Sequence, residues 1–399
     1  MTTGLVLQGG GALGAFELGV IECLLDNGIA PDVVSGVSIG AINATVLAGS
    51  KGPDPRLELR GLWDDLTTMA LPPPFDAANG DVALFGNPGM YAPRVDYLNL
   101  WHWTSVYETG RLRATLAKHV DFTKLQPTNF GRAPDQQAPR LILTATNLVS
   151  GKLDRFDSKE MALTAEHVAA SGSLPPSFPM TSAPSPTPAG RPMPYWDGGL
   201  FDNTPLSKVI SALEESDAEE KTMYVVNLFP SSAPLPRNFA EVANRMMTLA
   251  FSNKTEKDLQ RAKQTTEIIK LVDELDRLMP SHPELLPLKE LEGYKVVKAL
   301  NKPIDIIEIT NDDVTGPHDF SPDAIEERRL RGYAAAQDAL ASHGRGSTSA
   351  HPSPKGDGRT PAGDADAQPR GTDGLAHHVP PNAGLGGRLR GRPQRDRHR

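Results

Sequence analysis

At 399 residues with 39% hydrophobic content, the chain can bury a sizeable core, and average domain sizes allow one or two domains. Its formal net charge of −8 gives no support to nucleic-acid recognition, and its single cysteine, Cys23, excludes an internal disulfide and fits a reducing compartment. No apolar run approaches the roughly 18 residues that cross a bilayer, and the first strand begins by Leu5 with no basic-apolar-small leader ahead of it, so a cytoplasmic protein with at most peripheral membrane contact is expected.

The first predicted strand, Leu5-Val6-Leu7, runs into Gln8-Gly9-Gly10-Gly11-Ala12-Leu13-Gly14. A helix is expected from Ala15, with Phe16, Val20, Ile21, Leu24 and Leu25 on its apolar face and Asn27-Gly28 as its stop. Consecutive glycines after a strand leave several N–H groups uncovered, a nest of donors suited to a phosphate or a developing oxyanion. Gly9, Gly11 and Gly14 also satisfy the dinucleotide fingerprint, which wants an acidic residue at the exit of the second strand. Asp32 falls near the right distance but precedes Val33-Val34, at the strand's entrance. A glycine turn without any ligand is the third reading of this segment.

The second strand leads to Gly36-Val37-Ser38-Ile39-Gly40 and then to a helical run from Ala41 to Ala48. This is the pattern of a nucleophile elbow, a serine on a sharp strand-to-helix turn. The following helix would direct its N-terminal N–H groups and partial positive charge at an oxyanion formed there.

Leu71-Pro72-Pro73-Pro74-Phe75 opens an irregular, aromatic-bearing region through Trp103 that is a candidate lid. A helix is expected over Ser105 to Val120, and Arg140 to Thr146 reads as a buried strand. Ser171 to Pro179 and the proline-rich Ala183 to Gly190 read as loops. Asp197-Gly198-Gly199 follows the aromatic pair Tyr195-Trp196 and presents a carboxylate on a tight turn, the kind of base a serine hydroxyl needs to become a nucleophile. Further elements are a helix over Pro205 to Glu215, strands over Thr222 to Phe229 and Ile304 to Ile309, and a long polar helix from Ala240 to Met279, read as ordinary packing on the sheet, with a substrate cap or membrane-facing element as the alternative.

The three blocks together resemble the patatin-like phospholipases, lipid acyl hydrolases with a serine-aspartate dyad, here a member of bacterial type with a C-terminal extension. The similarity extends over Tyr107 to Leu125, Arg140 to Pro205 and Asp319 to Tyr333, and thus over most of residues 4 to 341. It implies Ser38 as nucleophile, Asp197 as proton acceptor, and the loop of Gly9, Gly10, Gly11 and Ala12 as oxyanion hole, with Gly14, Gly36, Gly40, Gly198 and Gly199 as motif glycines. It also implies a lipid or other acyl-ester substrate, no cofactor and no metal. The segment Ser171 to Pro179 resembles a stretch of the active-site wall. Where many members carry Arg or Lys, this chain has Leu13.

Alternating strands and helices argue for a three-layer α/β/α fold with a mostly parallel central sheet. The expected organisation is a catalytic domain over residues 1–210, an α/β extension over 211–342 and a disordered tail over 343–399, whose large apolar residues are too few to offset its ordering entropy. The tail's arginine run from Arg388 to Arg399 reads as a solvated segment, with nucleic acid or anionic lipid as the rival readings. His318 follows Asp197 in sequence, so a Ser-Asp-His triad stays open, whereas His102, His119 and His167 precede it without a motif. A dinucleotide-dependent oxidoreductase and a catalytically silent scaffold remain the alternative functions.

Overall fold

The computed structural model describes residues 1–67, 87–133, 137–187, 190–229, 235–237, 239–299, 303–312 and 316–348. Its main sheet comprises β1 (Thr2–Leu7), β2 (Val33–Gly36), β5 (Arg140–Asn147), β6 (Lys152–Asp157), β7 (Thr181–Pro184), β8 (Pro192–Asp197), β9 (Lys221–Asn227) and β10 (Asp305–Thr310). A separate two-stranded ribbon pairs β3 (Ala92–Pro93) with β4 (Tyr107–Glu108). The sheet order is β10-β9-β1-β2-β5-β8-β7, with β6 also on β5. The run from β10 to β5 is parallel, and β6, β7 and β8 pair antiparallel.

Helices are α1 (Ala15–Asp26), α2 (Ile39–Gly49), α3 (Pro55–Leu66), α4 (Gly110–His119), α5 (Ala165–Ser171), α6 (Leu206–Glu214), α7 (Phe239–Leu278), α8 (Glu292–Ala299) and α9 (Pro322–Thr348). Alternate strand residues point to opposite faces, and the core divides accordingly. Leu5, Leu7, Val34, Leu141, Leu143 and Val226 pack with α1, α2, α3 and α9, whereas Val6, Val33, Ile142, Met223 and Val225 pack with α6 and Leu259 of α7. This is the expected three-layer arrangement. None of the described helices is long and apolar enough to cross a membrane.

Register sets the height of the site. Leu7 pairs with Gly36 and Gly36 with Leu143, so β1 and β2 end level and release the glycine loop and the elbow side by side. Asp197 lies opposite Ala145, two residues beyond Leu143, just as Ser38 lies two residues beyond Gly36. An antiparallel strand thus delivers the carboxylate to the edge where the parallel strands deliver the serine.

Several local expectations change. The helix expected from Ser105 begins at Gly110, because Tyr107–Glu108 forms β4 instead. The proline-rich stretch begins as strand β7, at the sheet's edge, where a missing N–H is tolerated. Helix α3 was not anticipated; Asp54 caps it by accepting from Arg56 N–H, with Pro55 in the first turn. Helix α9 continues to Thr348, six residues into the expected tail, and the remainder of that tail lies outside the described residues, as does the part of the candidate lid over 71–86.

Helix α9 crosses α1 at close range. A Cβ on Gly19 would collide with the backbone carbonyl of Arg329, and one on Gly332 with that of Phe16, so the two glycines let the helix backbones meet. Arg329 Nη1 pairs with buried Glu22 Oε2 at 2.6 Å beside this crossing.

Candidate active site

Ser38 has φ 54° and ψ −123°, the only described non-glycine residue with positive φ, at the N-cap of α2. Such a conformation is strained for a residue with a Cβ and persists where the surroundings over-determine it. They do so here. A Cβ on Gly40 would stand 2.6 Å from Leu7 O and 2.8 Å from Gln8 O, and one on Gly36 would strike the carbonyl of Gly40, so the elbow is packed backbone against backbone. The Ser38 N–H donates to Ser171 O at 3.1 Å and Oγ at 3.2 Å, which ties the turn to the end of α5.

Asp197 is 2% exposed at the end of β8 and lines the same cavity as Ser38. Its Oδ1 accepts Gly199 N–H at 2.7 Å, and its backbone carbonyl accepts Thr146 Oγ1 at 2.9 Å. Burial pushes its pKa from 3.8 up to about 7, against the opposing pull of the Gly199 N–H and the Ser38 hydroxyl. A carboxyl with that value can both accept and return a proton near neutral pH.

Asn203 was not singled out from sequence, yet it joins the aspartate segment to the glycine loop. Its Nδ2 donates to Gly9 O at 3.0 Å and its backbone carbonyl accepts Gly9 N–H at 3.4 Å. Nearby, Gln8 bridges Thr204 Oγ1 at 3.0 Å and Leu228 N–H at 2.6 Å. The Asn-Thr-Pro sequence after Asp197-Gly198-Gly199 reads locally as a helix start, so only the fold reveals these contacts.

The loop's donors are not equivalent. Ala12 N–H donates to Pro317 O at 2.8 Å and Gly9 N–H is directed at Asn203 O. Of the four residues expected to form the oxyanion hole, Ala12 and Gly9 thus have N–H groups with protein partners, which leaves Gly10 and Gly11 as the candidate donors. Both of these line the cavity above Ser38, and Gly11 has φ +55°.

That cavity has a volume of about 320 Å³ and contains Ser38, Asp197, Asn203 and the loop glycines. Apolar walls come from Ile42, Met90, Leu112, Leu174, Phe178 and Phe320. Tyr91, Tyr107 and Phe178 form one aromatic cluster, with ring centroids 4.9 to 6.1 Å apart. The segment Ser171 to Pro179 thus does wall the site. His318 lines the cavity too but is exposed to solvent at its rim. His119 is held between Glu58 and Asp65, and His167 between Thr164 and the Pro184 carbonyl, both away from Ser38. A more open cleft of about 950 Å³ lies between α7 and the ends of β9 and β10, and it holds neither Ser38 nor Asp197.

The dinucleotide alternative loses its acidic residue: Asp32 Oδ2 accepts Thr3 N–H at 2.8 Å, at the end of the sheet opposite the glycine loop. Buried in α1 beneath that loop, Glu17 accepts Asn43 Nδ2 at 2.8 Å, while Asn43 also bonds Gly14 O and accepts from Trp63 Nε1. Burial holds the Glu17 carboxyl well above the usual carboxylate range.

A family model for patatin-like phospholipases matches residues 5–210. The triacylglycerol lipase SDP1L of Arabidopsis thaliana is 34% identical over 64 residues, 16% of this chain and 8% of that protein. The uncharacterized membrane protein Rv3479 of Mycobacterium tuberculosis is 30% identical over 247 residues, 53% of this chain and 22% of that protein. The chain therefore spans less than a quarter of either relative. Among solved structures, VipD from Legionella pneumophila is 17% identical with a TM-score of 0.34, over 86% of this chain and 67% of that one. Human GIVD cytosolic phospholipase A2 is 13% identical with a TM-score of 0.34, over 57% of this chain and 43% of its own.

Proposed function

The chain belongs to the patatin-like phospholipase family, and from that premise we propose that it is a lipid acyl hydrolase that cleaves carboxylic esters with a Ser38-Asp197 dyad. The observation that carries the reading is the presence, in one cavity with the strained Ser38, of a buried carboxylate whose charged form the serine hydroxyl favours and whose pKa stands at about 7. Serine is a weak nucleophile until a neighbouring base takes its proton, and a desolvated carboxylate is a stronger base than one in water.

In the first half-reaction Ser38 Oγ attacks the ester carbonyl while Asp197 accepts its proton. The carbonyl oxygen, now an anion, is held by the N–H groups of Gly10 and Gly11, assisted by the N-terminus of α2. Collapse of the tetrahedral intermediate expels the alcohol, which takes the proton back from Asp197. Water then attacks the acyl-enzyme with Asp197 again as base, releasing the fatty acid and restoring Ser38. Apolar walls at Ile42, Leu174 and Phe178 suit an acyl chain, and contact with a lipid surface would be peripheral.

The test is a fluorophosphonate probe on the full chain, in parallel with Ser38→Ala, with the adduct located by peptide mass spectrometry. Labelling confined to Ser38, together with ester hydrolysis, is expected. Folded protein that neither labels nor hydrolyses an ester would sink the reading and favour a silent scaffold.

A further inference from the structure

We propose that Arg328, far outside the segment that carries the motifs, is a positioning residue that sets the direction of the oxyanion loop by holding the backbone of Ala12. The inference rests on the acyl-hydrolase reading above.

Arg328 lies on α9 and is 2% exposed. Its Nη1 donates to Ala12 O at 3.4 Å and to Asp319 O at 2.6 Å, and its Nη2 donates to Gly316 O at 3.2 Å. Between those two carbonyls in sequence stands Pro317, whose own carbonyl accepts the Ala12 N–H at 2.8 Å. Both backbone polar groups of Ala12 therefore meet this structure: the C=O, which also accepts Ala15 N–H in the loop's own turn, is reached by the guanidinium, and the N–H is held by a turn that the same guanidinium braces on either side.

Ala12 follows Gly10 and Gly11, the two candidate oxyanion donors. Glycines have no Cβ to restrain them; within the run only the Leu13 N–H to Gly10 O bond at 3.2 Å and the short turn over Gly11–Gly14 hold them locally, so the ties at its two ends bear on the direction of their N–H groups. Asn203 fixes the Gly9 end, and the Arg328 clamp fixes the Ala12 end. Alignment at this level matters because donors stabilise the transition state only at 2.7–3.1 Å from the oxyanion's position, and a displacement of about 1 Å costs roughly a hundredfold. The rigid, planar fork of arginine can reach three carbonyls at fixed angles, whereas lysine offers one compact charge on a flexible stem. The close crossing of α1 and α9 at Gly19 and Gly332 holds Arg328 in register, since Gly332 lies one turn further along α9.

The experiment compares wild type, Arg328→Lys and Arg328→Gln in the full chain, using p-nitrophenyl butyrate hydrolysis, the rate of fluorophosphonate labelling at Ser38, and thermal unfolding. Loss of an interaction made only in the transition state lowers kcat and leaves KM in place. Expected are a fall in kcat of about tenfold for Arg328→Lys and about a hundredfold for Arg328→Gln, KM within about twofold, parallel losses in labelling rate, and a retained cooperative unfolding transition. Folded variants with wild-type kcat would overturn the proposal. So would variants that lose the unfolding transition, since the fork would then hold the fold and not the loop. Wild-type protein that neither labels nor hydrolyses the ester would remove the acyl-hydrolase reading itself, and the positioning role with it.

Discussion

The two walls of the candidate site are built in different ways. The nucleophile wall comes from the first 50 residues: two adjacent parallel strands, two loops and two helices, closed by backbone-to-backbone contacts at Gly36 and Gly40. The facing wall gathers Met90 and Tyr91, Tyr107, Leu174 to Phe178, and Pro317, His318 and Phe320 from four remote stretches, and it is largely apolar. The first wall tolerates almost no change in shape, because backbone atoms cannot move aside. The second is made of side chains in van der Waals and aromatic contact, which can repack. In the proposed mechanism the nucleophile belongs to the rigid wall, the base is brought beside it by β8, and the acyl chain meets the adaptable wall.

The largest effect that would sharpen this contrast is on rate. Asp197→Asn is expected to lower kcat at least about a hundredfold, the usual scale for a lost general base, while leaving the fold intact. A near-normal rate would move the base to His318 on the opposite wall. The same variant carries a stability signature with a definite sign. Folding raises the Asp197 pKa from 3.8 to about 7, so the folded state binds the extra proton and stability falls as pH rises through that interval. Asp197→Asn should therefore melt above wild type at pH 8 and lose that advantage near pH 4.

Gly40→Ala comes next. Its Cβ would sit 2.6 Å from Leu7 O with no side chain able to yield, and a loss of at least ~3 kcal/mol in unfolding free energy is expected in a denaturant titration. If Gly40→Ala were as stable as wild type, the rigid-wall description would fail.

The pH profile of kcat/KM should rise through about 7 with a slope of one, since the unprotonated Asp197 is the reactive form. Below that point the rate falls about tenfold per pH unit. A flat profile between pH 5 and 8 would show that the carboxylate is not the base.

Phe178→Ala tests the adaptable wall. It removes one ring of the cluster with Tyr91 and Tyr107 and should raise KM for long-chain esters severalfold, with kcat for a short-chain ester nearly unchanged. The smallest effect is expected at Glu17→Gln. Because burial already favours the neutral carboxyl, an amide of the same shape should shift stability by less than about 1 kcal/mol, whereas Glu17→Ala, which strips Asn43 of one of its three partners and leaves a cavity, should cost about 1–3 kcal/mol.

Sequence by itself determined the elbow at Ser38, the glycine loop after the first strand and the Asp197 turn. Each is a short run whose residue types are dictated by its own backbone: a serine at positive φ, glycines where main chains touch, a carboxylate that caps its own turn. The alternation of strands and helices likewise fixed the layered architecture and most element positions. The antiparallel edge escaped it, because β6, β7 and β8 lack a continuous apolar run and β7 and β8 carry prolines. Only the tertiary structure decided which loop amides face the cavity, since the partners of Gly9 and Ala12 are Asn203 and Pro317, some two and three hundred residues away, and a carbonyl acceptor leaves no mark in sequence. It also decided the basicity of Asp197 and the reach of Arg328, because burial and hydrogen-bond direction are properties of the packed chain and not of any segment in it.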